Sequence, residues 1–436
     1  MLTRDEMLAT YAPSAADYRL MVGFEYEVHC FDRATMKPLG YERMRAMLER
    51  ATRFAGGQIV DDELIHRAEL PGGALLSLEP GGQFEFSSPP VDRFGLFLEQ
   101  SQRFRELVEA AVSGDDVHVF YGGLTPVHTV DEIGLVVPKE RYRMMDAYFP
   151  HVGTMGRRMM RQSASVQVTF DYRNPALGQE LLQTALYLSP FAAALFCNCP
   201  FVDGNNTGYR SYRVPIWADT DSARSGLLPG FTRDDYSFDD YLDHVIAAPM
   251  FFVQTQSGYR DVGRISFDKF NREGIDGRQT TIDDFKLHNS TIFTDVRLKN
   301  TVEVRSIDGQ DPELVPSVVA FLCGLLLCST ARQRAREVLR AMHIDYSALP
   351  DKLAREGLTG MVEGEPVAEI VYELVDLAGE GLTKCFADGA EGRKFLEPLR
   401  WFAEQRKTPA DVVLERFGDA KTWLAAGRTF GDGTPW

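Results

Sequence analysis

Two glutamates, Glu25 and Glu27, stand two residues apart in the stretch MVGFEYEVHC, Met21–Cys30. Side chains on a strand alternate between faces, so both carboxylates project to one side while Val22, Phe24, Tyr26 and Val28 project to the other. Carboxylates roughly 7 Å apart repel each other unless a cation lies between or beside them. Three further stretches use the same device. In LSLEPGGQFEFSSPP (Leu76–Pro90), Gln83 and Glu85 oppose Phe84 and Phe86, and Glu79 precedes the Pro80-Gly81-Gly82 turn. In SASVQVTFDY (Ser163–Tyr172), Ser165, Gln167, Thr169 and Asp171 oppose Val166, Val168 and Phe170. Around Val302 and Val304, the residues Thr301, Glu303 and Arg305 share the opposite face.

The chemistry that such faces support is that of a metal-held anion. Glu25, Glu27, Glu79, Glu85 and Glu303, with Gln167 as a neutral ligand, form an oxygen-rich set that suits hard divalent cations; zinc or copper favours His and Cys. Few of the eight histidines lie near another at ligand spacing. Several carboxylates fit two or more Mg²⁺ ions that also take substrate phosphates. Arg161, Arg213 and Arg305 then neutralise phosphate or a substrate carboxylate, a combination suited to phosphoryl transfer from ATP. There is no P-loop and no kinase signature, so an ATP site here is of another kind. Blander readings stay open at this point. Glu79 and Glu85 equally suit solvated strand and turn positions, and Arg157, Arg158 and Arg161 a solvated helix face. Glu303 and Arg305 equally suit a surface pair worth little.

The elements that must position these groups follow from periodicity. Residues 1–19 read as a short polar helix or arm. Tyr41–Gly56 has helical spacing and a Gly-Gly stop, and Gln58–Arg67 and Ala74–Glu79 read as strands around Pro71-Gly72-Gly73. Asp92–Val112, Lys139–Tyr148, Gln179–Pro200 and Phe238–Ala248 read as helices, with a strand near Asp116–Tyr121. Asn205–Gly226 reads as a polar loop, solvated or ligand-holding. Arg264–Lys286 reads as a loop able to act as a flap, and from Pro312 onward the chain is mostly helical. With no repeats or clear linker, residues 1–436 are expected to form a single catalytic unit. Its core sheet covers about 20–310 and a helical part about 311–436.

Composition narrows the class. Hydrophobic residues make up 44% and charged residues 25%, which suits a globular chain with ample core. A formal charge of −16 argues against general nucleic-acid or anionic-membrane binding. The N-terminus lacks the apolar core of a secretory signal. The most apolar run, Val315–Cys328, is broken by Pro316 and Gly324 and is too short to span a bilayer. Six cysteines in so long a chain make no disulfide framework; Cys197, Cys199, Cys323 and Cys328 read as buried free thiols. A cytoplasmic protein, monomer or homodimer, is expected.

The blocks GFEYEVH (23–29), LSLEPGGQFEFSSPP (76–90), PHVGTMGRRMMRQSASVQVTFDY (150–172), YRVPIWADTDSARSGLLPGF (212–231) and STIFTDVRLKNTVEVRSIDGQ (290–310) resemble the plant and proteobacterial type of glutamate–cysteine ligase. The ligases that open ergothioneine synthesis belong to the same broad family. The resemblance implies an α+β fold like that of glutamine synthetase: a curved, mainly antiparallel sheet with the active site on its concave face and helices outside. It implies ATP-dependent joining of the γ-carboxylate of L-glutamate to the amine of L-cysteine through a γ-glutamyl phosphate, giving γ-glutamylcysteine. A different amine or acid in a specialised pathway is the alternative, and a non-catalytic relative is disfavoured because all five carboxylates are present. Two or three Mg²⁺ ions, with Mn²⁺ as substitute, are implied at Glu25, Glu27, Glu79, Glu85, Gln167 and Glu303. Arg213 and Arg305 fall where arginines contact the γ-phosphate or glutamate, and Arg161 and Gln83 are further candidates for substrate or nucleotide. Plant members carry a transit peptide and regulatory cysteines, and Cys197 and Cys199 match no such pair.

Overall fold

The computed structural model describes residues 1–13, 21–60, 64–256, 258–386 and 388–430. The sequence of alternating faces becomes one open nine-stranded sheet. In chain order its strands are β1 Val22–Asp32, β2 Gln58–Ile59, β3 Arg67–Glu69, β4 Leu75–Leu78, β5 Phe84–Ser87, β6 Val117–Phe120, β7 Ser165–Phe170, β8 Val296–Leu298 and β9 Val302–Asp308. They lie in the order β8-β9-β7-β1-β5-β4-β3-β2, with β6 on the far end of β1. Every pairing within this sheet is antiparallel. Part of the strand expected over 58–67 (61–63), and part of the arm expected over 1–19 (14–19), lie outside the described residues; the arm begins as the helix Arg4–Leu8.

The apolar sheet face is sealed by helices. Phe24 meets Phe97 at 4.9 Å, Tyr26 meets Phe104 at 4.9 Å and Phe86 meets Phe104 at 5.3 Å between ring centroids. Phe97 and Phe104 belong to the helix Phe94–Val112. The helices Pro175–Leu195 and Val315–Leu327 pack against β9 and β7. Full burial of each such side chain contributes on the order of 1.5–3 kcal/mol, which fixes β1, β5, β7 and β9 with their polar faces outward, since a one-residue slip would invert every side chain. The α+β expectation therefore holds. Among the described residues no single helix is long and apolar enough to cross a membrane; Val315–Leu327 is buried throughout.

Two segments differ from the expected loops. Asn205–Gly226 contains the helix Arg213–Ala218. Arg264–Lys286 contains the helix Phe267–Glu273 and most of a second, Ile282–Asn289. Its polar composition reflects caps: the Ser266 hydroxyl accepts from the Lys269 amide, and Thr281 and Asp284 form a capping box, each satisfying orphan amides of a first turn.

Candidate active site

Strand order turns the polar faces of five strands into a gradient of charge. From the edge inward run Arg297 and its neighbour Lys299, then Glu303 and Arg305, then Gln167, then Glu25 and Glu27, then Glu85, with Glu79 at the turn before β5. Register aligns them: Arg297 lies opposite Glu303, Glu25 opposite Gln167, and Glu27 opposite Glu85. A cavity of about 300 Å³ covers this face; Glu25, Glu27, Glu79, Glu85, Gln83, Gln167, Arg213 and Arg305 line it together.

The carboxylates are short of compensating charge. Burial, then the neighbouring Glu79, raises Glu27 to about 7, although its Oε2 accepts the Ser165 amide at 2.6 Å and hydroxyl at 3.0 Å. Burial and the nearby Glu303 raise Glu25, and burial followed by Glu25 raises Glu79 despite Arg141. Glu85 is pushed well up by burial, then by Glu79, Glu25 and Glu27, while accepting the Ser77 hydroxyl. Glu303 behaves oppositely. Burial alone would raise it, but Arg297, Lys299 and Arg305 outweigh that and hold it below the usual range. Arg297 Nε donates to its Oε2 at 2.6 Å, and Arg305 stands 3.4 Å from its Oε1. Among the described residues no three His, Cys, Asp or Glu side chains are grouped so as to hold an ion by themselves.

The arginines reach the cavity by different routes. A register shift between Val304 and Ile307 re-aims Arg305 as a bulge does, and its guanidinium donates to Gln167 Oε1 at 2.5 Å. Arg213, at the start of its short helix, donates to the Arg305 carbonyl at 3.0 Å and lies 5.4 Å from the Trp217 ring. Its Nε is buried with no hydrogen-bond partner among the described residues, a group that an anion would satisfy.

Two expected binding residues are placed otherwise. Arg161 does not line the cavity: its guanidinium pairs with Asp146 and donates to the Val130 carbonyl at 3.3 Å. Tertiary packing decided this, because the helix Gly156–Gln162 turns that residue toward Asp146. Gln83 lines the cavity, but its amide is already engaged. Nε2 donates to Ser163 O at 2.7 Å and Met160 O at 3.3 Å, and Oε1 accepts the Gly81 amide at 2.9 Å. It fixes the Pro80-Gly81-Gly82 turn. Gly81 is required there, since a Cβ would lie 2.2 Å from the Arg161 carbonyl oxygen. Arg141, Tyr142, Trp217, Arg297 and Lys299 also line the cavity and were not anticipated. Arg297 and Lys299 carried a readable signal: in Val296–Lys299 they alternate with Val and Leu as Glu303 and Arg305 alternate with valines. Arg141 and Tyr142 carried none beyond helical composition.

The cysteines agree with expectation. Cys197, Cys199, Cys323 and Cys328 are buried and free.

Comparison with known proteins places the chain in a family. The model of glutamate-cysteine ligase family 2 matches residues 21–426. The chloroplastic glutamate–cysteine ligase of Nicotiana tabacum is 31% identical over 95% of this chain and 80% of its own length. Glutamate–cysteine ligase B, chloroplastic, of Oryza sativa subsp. japonica is 31% identical over 95% and 84%. The solved structure of a glutamate–cysteine ligase from Francisella tularensis in complex with AMP superposes with a TM-score of 0.58 at 10% identity, covering 94% of this chain and 87% of that one; at that identity the likeness is one of fold. The plant relatives overturn the expected cytoplasmic location, because they are chloroplastic enzymes. The lack of an apolar secretory core argued against only one kind of address, and plastid transit peptides are amphipathic and rich in Arg and Ser. Matched over residues 21–426, the chain belongs to glutamate-cysteine ligase family 2 and is an ATP-dependent ligase.

Proposed function

We propose that this cavity joins the γ-carboxylate of L-glutamate to the amine of L-cysteine at the expense of ATP, giving γ-glutamylcysteine, ADP and phosphate. The observation that carries the reading is the charge gradient on one sheet face, four carboxylates in Glu25, Glu27, Glu79 and Glu85 leading to Arg305 and Arg213, in a chain of this family.

The acid side fits divalent cations. Glu25, Glu27, Glu79 and Glu85 are gathered on one face, where burial and then neighbouring carboxylates raise their carboxyl groups, a concentration of negative charge that a divalent cation would offset. Their oxygens suit Mg²⁺, and Glu25, Glu27, Glu79 and Glu85 would hold it with help from substrate phosphates, since no three acidic groups among the described residues are grouped to hold an ion by themselves. Gln167 and Glu303 border this set, but each gives oxygen to a guanidinium here, so they are its outer members. When bound there, Mg²⁺ neutralises phosphate charge during transfer.

On the cationic side, Arg305 and Arg213 bind the carboxylate that becomes the acyl phosphate and neutralise the transferring phosphoryl group. In the first step a γ-carboxylate oxygen takes the phosphoryl group and ADP leaves. In the second, the neutral amine nitrogen attacks the acyl carbon, a C–N bond forms, the acyl C–O bond breaks, and phosphate departs as the nitrogen gives up one proton to it. The buried Met145 and Met159 in the cavity wall exclude water that would otherwise hydrolyse the acyl phosphate.

The test is phosphate release with ATP, Mg²⁺ and L-glutamate across a panel of amines, with mass analysis of products. Turnover with L-cysteine and the mass of γ-glutamylcysteine are expected. Turnover with a different amine alone would reassign the acceptor, and no turnover with any amine would refute the reading.

A further inference from the structure

The reaction needs three substrates together, yet a cavity of about 300 Å³ is at the lower end of what one drug-sized ligand occupies. A second chamber of about 600 Å³ adjoins it, lined by Glu6, Thr10, Ile282, Lys286, Asn289 and Lys299 among others. Ser290 and Lys299 belong to both. Lys299 follows the edge strand β8, so it stands at the cationic end of the gradient. Four strand spacings, about 19 Å, separate β8 from the strand that carries Glu85.

That placement divides the substrates. Phosphates travel with divalent cations and belong at the acidic strands, whereas the carboxylate of an amino acid is recognised by positive side chains. The other cations at this end of the gradient have work already. Arg305 and Arg213 serve the γ-carboxylate and its phosphoryl group in the reading above, and Arg297 is held by Glu303 at 2.6 Å and by the Ser290 carbonyl at 3.0 Å. Lys299 is looser: its ammonium is 3.9 Å from Glu303, whose Oε2 Arg297 already holds at 2.6 Å, and its side chain is 41% exposed. A compact ammonium on a flexible stem can turn toward either chamber.

We infer that the second chamber admits the acceptor amino acid and that Lys299, at the junction, binds its α-carboxylate and so directs its amine toward the acyl phosphate formed beside Arg305. This rests on the function proposed above and adds the determinant of its second substrate. Lys286 adds a second ammonium to the lining of that chamber.

The experiment compares the wild type with Lys299→Met and Lys299→Arg, using saturating ATP, Mg²⁺ and L-glutamate. The acceptor is either L-cysteine or 2-aminoethanethiol, which is cysteine without its carboxylate. In Lys299→Met, kcat/KM for cysteine is expected to fall roughly 10- to 100-fold, the loss of one contact to a charged group. The value for 2-aminoethanethiol should change by less than about 3-fold, and the KM values for ATP and glutamate should hold. Lys299→Arg should recover most of the preference for cysteine. An equal fall for both acceptors, or a rise confined to the KM for ATP, overturns the assignment while leaving the ligase reading intact. A wild type that joins glutamate to neither acceptor overturns this inference, and failure to release phosphate with any amine of the wider panel refutes the ligase reading beneath it.

Discussion

Removal of the Arg305 guanidinium should separate transition-state binding from folding. Its side chain is 12% exposed, donates to Gln167 Oε1 at 2.5 Å and stands 3.4 Å from Glu303 Oε1. In Arg305→Ala, Glu303 keeps Arg297 at 2.6 Å and Lys299 at 3.9 Å, so the buried carboxylate is not left bare and the fold should hold, with Tm lowered by no more than roughly 3 °C. Catalysis lacks that reserve. A contact to a charged group is worth about 1.5–3 kcal/mol, and Arg305 is one of the two guanidiniums, with Arg213, set to neutralise the transferring phosphoryl group. A loss of at least about 2 kcal/mol, or roughly 30-fold in kcat/KM, follows. The assay is steady-state phosphate release against glutamate, with thermal melts of both proteins. Arg305→Lys should restore charge but not the planar fork, and so recover only part of the loss. An unchanged kcat/KM in Arg305→Ala, or a collapse of Tm with activity per folded molecule intact, would refute the reasoning.

Glu27→Gln should lower Mg²⁺-dependent turnover on the order of 100-fold or more with the fold retained, measured by phosphate release and circular dichroism; near-normal activity would rule out a metal role. Gly81→Ala places a Cβ 2.2 Å from the Arg161 carbonyl oxygen and should destabilise by about 1–3 kcal/mol, read by urea denaturation, with activity lost alongside as Glu79 and Gln83 shift. Burial, and then Arg224, depresses His288 to about 3, and the ring holds the Val245 carbonyl at 2.8 Å. Its unfolded value is about 6.5, so below that pH the unfolded state binds the extra proton. Stability is complete above about pH 6.5 and falls toward pH 3, by up to about 1.4 kcal/mol per pH unit from this residue. Urea midpoints across that window should drop less steeply in His288→Gln, and parallel curves would dismiss the effect.

The strand faces were legible because a period of two is written directly into Glu25–Glu27, Ser165–Thr169 and Glu303–Arg305, and burial of the valines and phenylalanines between them permits only one facing. What that period could not tell was the order of strands, and the order makes the site. The edge pair Arg297 and Lys299 alternates in the same way, but the strand is only Val296–Leu298, too short for its period to stand out beside that of Glu303. Arg161 was misplaced for a different reason. Three arginines in Arg157–Arg161 point around a helix, and only tertiary packing shows that all three are paired, Arg157 and Arg161 with Asp146 of the helix Glu140–Tyr148 and Arg158 with Asp203. The segment Arg264–Lys286 read as a loop because its Ser and Thr caps and charged faces share a composition with loops, while its apolar anchors Phe267 and Phe270 are few.

The most direct test of the central claim follows an oxygen atom. L-Glutamate carrying ¹⁸O in its γ-carboxylate is incubated with ATP, Mg²⁺ and L-cysteine, and the released phosphate is analysed by mass. If the γ-carboxylate is phosphorylated and then displaced by the amine, each phosphate carries one ¹⁸O and γ-glutamylcysteine accumulates in equal amount. Unlabelled phosphate, with or without product, would contradict an acyl phosphate formed in this cavity.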